Sequence, residues 1–187
     1  MLDELLHEAA FGEATPMGSS QFAEDLSQLK PASLVSYREH QYTANNLVIA
    51  SNGLKADVLK TYANKYLNDL TSGDSNGNSS NRSYTGGDAK LKGNFNGKTY
   101  VALAFPTEKN KAYNVLRVLL HNKLNKLEGG EVSCFNAPYA SGGIWGVYVC
   151  GSSSGASNKL VECAIKELKA ITGNVSAIDL DCAKNQV

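Results

Sequence analysis

The sequence predicts an α+β fold in which antiparallel strands are flanked by helices. Two strand-like runs, at 132–139 and 144–150, are joined by the short turn Ala-Ser-Gly-Gly, as in a β-hairpin. Helical patterns with one apolar face lie before and after this hairpin, and such helices cover the faces of a sheet. The segment TSGDSNGNSSNRS at 71–83 has no apolar side chain to bury. We therefore expect it to be a flexible linker between two parts of the chain.

The part before this linker contains three helical patterns and one apolar run. Apolar residues at helical spacing predict a first helix from Leu2 that Gly12 ends. Pro31 is suited to the first turn of a second helix that reaches about Gln41. The run Leu47–Ala50, closed by an Asn-Gly pair, predicts a short buried strand. Residues 56–70 carry a continuous apolar stripe and give the clearest helix.

The part after the linker repeats strands and helices. Residues 100–105 predict a strand that stops at a proline, and 109–127 predict an amphipathic helix before the hairpin. Residues 156–171 predict a helix after the hairpin. A capping box at Ser176–Asp179 predicts one more helix. Because the sequence ends about two turns later, we expect this to be the start of a longer helix.

Charge and cysteine content exclude several classes of function. Eighteen basic residues balance eighteen acidic ones without a basic block, which disfavours nucleic acid as a partner. No apolar run approaches the roughly 20 residues that a membrane span needs. The four cysteines are widely spaced and form no C-x-x-C pair, so we expect reduced thiols rather than a zinc site.

One stretch comes close to a zinc-peptidase motif. Ser36, Glu39 and His40 match H-x-x-E-H except that the first histidine is a serine. Two imidazoles one helical turn apart are needed to hold the ion, and a serine cannot supply the missing nitrogen. G-x-S-x-G occurs at 73–77 and at 151–155, but both matches lie in polar segments where we expect loops rather than the strained elbow that a nucleophilic serine requires. The chain has no phosphate-binding loop with its lysine. From the residues alone we therefore predict no catalytic residue, no metal ligand and no cofactor.

Three stretches, in this order, resemble the M16 metallopeptidase family. They are "LLHEAAFGEATPMG" at 5–18, "LVSYREHQYTANNLVIASNGLKADVLKTYANKYL" at 34–67 and "VSCFNAPYASGGIWGVYVCGSSSG" at 132–155, with "YTGGDAK" at 84–90 opening the segment before the third. The family contains pitrilysins, the subunits of the mitochondrial processing peptidase and the core proteins of the cytochrome bc1 complex. The third stretch and "NVSAIDLDCAKNQV" at the end are most similar to the α-type core subunits.

The resemblance implies M16-like half-domains with antiparallel-rich sheets flanked by helices. Residues 1–70 would be the C-terminal half of a first domain, 71–83 the linker and 84–187 the N-terminal part of a second domain. The family's zinc motif has no counterpart in these residues, so no zinc ligand or catalytic residue is carried over.

The function that the resemblance implies is that of a non-catalytic structural core subunit of respiratory complex III. It would lie on the matrix side of the mitochondrial inner membrane, peripheral to the bilayer, beside a core protein 1-type subunit and other complex III subunits. Paired core proteins of the family enclose a cavity, and we expect one strand to lie nearest to that cavity or to the partner. Its candidate residues are Ser133, Phe135, Asn136 and Tyr139.

Two other functions stay open from the sequence. The chain could be an α-type subunit or fragment of a mitochondrial processing peptidase, or of another M16 zinc peptidase, with its metal site on a different segment or chain. It could also be a free-standing binding module, which predicts a stable monomer.

Overall fold

The computed structural model describes residues 1–22, 25–73, 83–140 and 142–187. These residues form six α-helices and a three-stranded antiparallel sheet, which confirms the predicted α+β class. The chain divides into two compact units, one made of residues 1–21 with 81–187 and the other of residues 22–80. The division into family domains at 1–70 and 84–187 stays a prediction, and most of the linker lies outside the described residues.

The sheet consists of β1 (Thr99–Thr107), β2 (Gly130–Tyr139) and β3 (Gly142–Gly151) in the order β1-β3-β2. The antiparallel β2–β3 pair is the hairpin that the sequence predicts. β3 lies in the centre and is mostly buried. Pro106 and Pro138 fall in the two outer strands, where a residue without an N–H disturbs pairing least.

One face of the sheet is covered by α4 (Ala112–Leu124) and α5 (Ser154–Gly173). Leu120 and Ala164 from these helices pack against Trp145 and Val147 of β3. Both helices were predicted from their apolar stripes. Trp145 is 3% exposed, so the tryptophan is a core residue and not an open binding platform.

The opposite face of the sheet is covered by α1 (Leu2–Phe11). Leu6, Ala10 and Phe11 form a buried cluster with Ile144 of β3. α1 therefore packs against residues more than a hundred positions later in the chain, which its local sequence pattern does not show.

The last helix, α6 (Ala177–Asn185), packs against α4. The Ser176 side chain accepts a hydrogen bond from the Asp179 amide at 3.0 Å, which confirms the predicted cap. Ala183 is fully buried against Val118 and Leu119 of α4.

The unit of residues 22–80 contains α2 (Pro31–Gln41), α3 (Ala56–Tyr66) and a short 3-10 turn. The strand predicted at 47–50 is not formed: these residues pair with no strand among the described residues. Val48 is 88% exposed. An isolated apolar run cannot become a strand, because its backbone N–H and C=O groups need a neighbouring strand as partner.

The contact of β1 with β3 at Gly146 gives a direct test of the sheet. A Cβ at this position would lie 1.9 Å from the carbonyl oxygen of Leu103. We expect Gly146→Ala to lower the free energy of unfolding by about 1–3 kcal/mol, since the strands must move apart. Urea unfolding measures the change.

The matched control is Gly173→Ala at the end of α5, where an added Cβ meets nothing within 4 Å. Its stability should be unchanged or slightly raised. Equal stability of the two variants would contradict the close approach of the strands.

Candidate functional site

The four residues predicted to face a cavity or partner all lie on β2, the outer strand of the hairpin. The pleat divides them between the two faces of the sheet. Phe135 and Tyr139 pack with the α1 cluster, and Ser133 shares their face. Asn136 lies on the other face, opposite Trp145 in the register. Three of the four are therefore brought together and one is not.

Tyr139 is joined to α1 through His7. The His7 Nδ1 atom lies 2.7 Å from the carbonyl oxygen of Asp3, so Nδ1 carries the proton and donates it there. The Nε2 atom is then the acceptor for the Tyr139 hydroxyl, which contacts it. Burial, and secondarily the charge of Asp3, raise the pKa of Tyr139. The phenol therefore stays protonated and remains a donor.

Tyr148 of β3 makes a second polar link to α1. Its hydroxyl donates to the Oδ1 atom of Asp3 at 2.6 Å, and its ring stacks on Phe135 with ring centroids 4.4 Å apart. Burial is the main cause that raises the pKa of Tyr148, and the hydrogen bond to the Asp3 carboxylate raises it further. Both tyrosines thus hold the first turns of α1 against the sheet as neutral donors.

Asn136 connects β2 to the helical layer instead. Its Nδ2 atom donates to Oδ1 of Asn114 on α4 at 2.8 Å. An amide pair of this kind satisfies two polar groups beside an apolar core. Its role in the described structure is to fix the strand on α4.

Histidine and cysteine side chains are arranged without a metal cluster in the described ranges. No group of three His, Cys, Asp or Glu side chains there could hold an ion. His40 is exposed, and its Nδ1 atom lies 2.7 Å from the Ser36 carbonyl oxygen of the same helix. The four cysteines are free. Burial raises the pKa of Cys134 to about 12, so this thiol is inert in the core.

None of the helices in the described part of the chain is long and apolar enough to cross a membrane.

A family comparison decides the class of this fold. Residues 28–187 match the family model described as the Peptidase M16 inactive domain. The chain belongs to this family. The expected resemblance to M16 proteins is therefore confirmed.

Curated relatives of this M16 chain include cytochrome b-c1 complex subunit 2 from mouse and from human. They are 24% and 25% identical to it over 212 aligned positions. The match covers 98% of this chain but 45% of each relative, so the chain spans less than half of their length. These relatives are mitochondrial proteins by name.

A solved structure shows the same M16 fold. A chain of "Complex III2 from Candida albicans, Inz-5 bound" superposes with a TM-score of 0.72 at 17% identity. The superposition covers 99% of this chain and 50% of that one.

The bond between Tyr139 and His7 can be tested through stability. We expect Tyr139→Phe to lower the free energy of unfolding by about 1 kcal/mol, because the half-buried His7 Nε2 loses its donor. Chemical denaturation followed by Trp145 fluorescence measures it.

Tyr100→Phe is the control, because Tyr100 is half-exposed on β1 and should tolerate loss of its hydroxyl. If both variants unfold at the same denaturant concentration, the Tyr139–His7 bond does not stabilise the fold.

Proposed function

We propose that the chain acts as part of a non-catalytic structural core subunit, core protein 2-like, of respiratory complex III (ubiquinol–cytochrome c reductase). The observation that carries the proposal is similarity to cytochrome b-c1 complex subunit 2 along 98% of the chain. Membership of the inactive M16 domain family supports a role without catalysis. The chain would support assembly of the complex rather than take part in electron transfer.

The proposed location is the matrix side of the mitochondrial inner membrane, peripheral to the bilayer. The proposed neighbours are a core protein 1-type subunit and other subunits of complex III. Mitochondrial localisation of the relatives supports the organelle, and the side of the membrane is part of the proposal.

The outer position of β2 supports contact with a partner or an enclosed cavity. β2 pairs only with β3 among the described strands. Alternate N–H and C=O groups of such an edge strand face away from the sheet and can bind an extended segment. The proposed contact residues on this strand are Ser133, Phe135, Asn136 and Tyr139. Ser133 is the most accessible of them, since its side chain is exposed.

The unit of residues 22–80 also supports a role in assembly. Its large apolar side chains stay exposed, including Leu34 on α2 and Tyr66 at the end of α3. Exposed apolar surface of this extent is typical of protein–protein contact. A subunit that is buried among others would cover it.

Co-purification tests the proposed function. The chain with an affinity tag, expressed in mitochondria and extracted in mild detergent, should recover cytochromes b and c1 and a core protein 1-type subunit in constant proportion. An unrelated matrix protein with the same tag is the control. Absence of the cytochromes would contradict the proposal. Stoichiometric zinc, or cleavage of presequences after addition of a β-type subunit, would favour the peptidase alternative instead.

The role of β2 has its own test. Ser133→Lys places a charge on the outer strand, which blocks further strand pairing, while the exposed position can accommodate the longer side chain. We expect this variant to recover much less core protein 1-type subunit at unchanged thermal stability.

Ser152→Lys serves as the control, because Ser152 is exposed just after β3 and away from the β2 edge. Recovery by Ser133→Lys equal to that by Ser152→Lys would show that β2 does not bind the partner. The subunit assignment itself would be unaffected by that result.

A further inference from the structure

A small cavity lies at the end of the sheet where α1 also ends. Its volume is about 130 Å³, and its lining comes from the last residues of α1 and β1, the turn end of the hairpin and the segment at 83–84. The lining contains three aromatic rings, those of Phe11, Tyr84 and Tyr139. Ser83, Thr107, Gly142 and Gly143 complete it. None of these is a carboxylate or a cation.

The three rings stand at steep angles to one another. Tyr84 and Phe11 have ring centroids 6.3 Å apart with an interplanar angle of 85°. Tyr139 and Phe11 are 6.1 Å apart at 74°. Because both tyrosine rings are nearly perpendicular to Phe11, the cavity has aromatic walls in more than one orientation. Aromatic rings of more than one orientation around a cavity can stabilise a cation there.

Each wall is held in place by contacts outside the cavity. Phe11 is buried in the α1 cluster, and Tyr139 is bonded to His7. The segment that carries Tyr84 is fixed to the end of α1, since the amides of Thr85 and Gly86 donate to the Ala10 carbonyl at 2.9 and 3.2 Å. The rings are therefore positioned before any ligand binds, which lowers the entropic cost of binding.

The chemistry of the lining selects one class of cation. A primary ammonium or guanidinium group needs acceptors for all its N–H donors when it leaves water, and the described part of the lining offers the hydroxyls of Ser83 and Thr107 but no carboxylate. A quaternary ammonium group has no N–H and is stabilised by aromatic rings alone. A volume of about 130 Å³ also suits a nitrogen with three methyl groups, which amounts to four water-sized groups at about 30 Å³ each.

We propose that this cavity binds a quaternary ammonium group, with Phe11, Tyr84 and Tyr139 as its aromatic walls. The group could belong to a free small molecule or to the choline head of a phospholipid, and the recognising chemistry is the same. The proposal is independent of the subunit assignment.

Titration with choline chloride tests the site. The 187-residue chain, labelled with nitrogen-15, is followed through the amide signals of Gly142 and Gly143. We expect saturable shifts, and we expect affinity at least about tenfold higher for choline than for its uncharged isostere, in which carbon replaces the nitrogen. Equal affinity for the two compounds, or no saturable shift with choline, would overturn the proposal.

Variants of Tyr84 locate the binding. Tyr84→Ala should weaken choline binding about tenfold, while Tyr84→Phe keeps the ring and should bind as the unmodified chain does. Tyr100→Ala, at the opposite end of β1, should leave binding unchanged. Loss of binding in Tyr84→Phe, or retention in Tyr84→Ala, would rule out the site.

A further titration distinguishes a free quaternary ammonium compound from the choline head of a phospholipid as the ligand. A short-chain phosphatidylcholine, kept below its micelle concentration, is titrated in the same way. Tighter binding than choline supports the site with a lipid head as its ligand. Binding of choline alone supports the site with a free quaternary ammonium compound.

Discussion

The pairing of β3 with a strand on each side is the constraint on which the larger unit depends. At Gly146 the neighbouring strand comes so close that an added Cβ would lie 1.9 Å from the Leu103 carbonyl oxygen. The same strand presents Val147 to α4 and α5 and Ile144 to α1. Burial on both faces requires a central strand that is mostly apolar, since successive side chains point to opposite layers. Displacing β3 would therefore disturb both cores together.

Sequence patterns predicted those parts of the fold that are set locally. The hairpin, α4, α5 and the Ser176 cap depend on residues near one another in the chain, so periodicity and turn residues indicate them. The packing of α1 on the sheet depends on residues far apart, and no local pattern contains that information. Leu47–Ala50 is a case in which the local pattern predicted an element that is not formed. Its composition is that of a buried strand, but strand formation also needs a partner, which the described residues do not provide.

The candidate site also has a part that the sequence predicted and a part that depends on distant residues. The sequence placed four residues on one strand, and the alternation of side chains then separates Asn136 from Ser133, Phe135 and Tyr139. His7 gave no sign of a role in its own helix, because its partner Tyr139 lies 132 positions away. The aromatic walls of the cavity also come from distant segments. Family resemblance indicated the kind of protein, and only the fold shows which side chains meet.

The polar groups on the α1 face agree with a role that is not catalytic. A general acid or base works best with a pKa near the pH of its surroundings, whereas burial and Asp3 shift the pKa of Tyr139 and Tyr148 upward, away from neutrality. Both hydroxyls are also occupied as donors to α1. A reacting group must be free to exchange its proton with a substrate, and these protons instead hold a helix in place. Tyr139 and Tyr148 are therefore explained by packing, as expected for an inactive M16 domain.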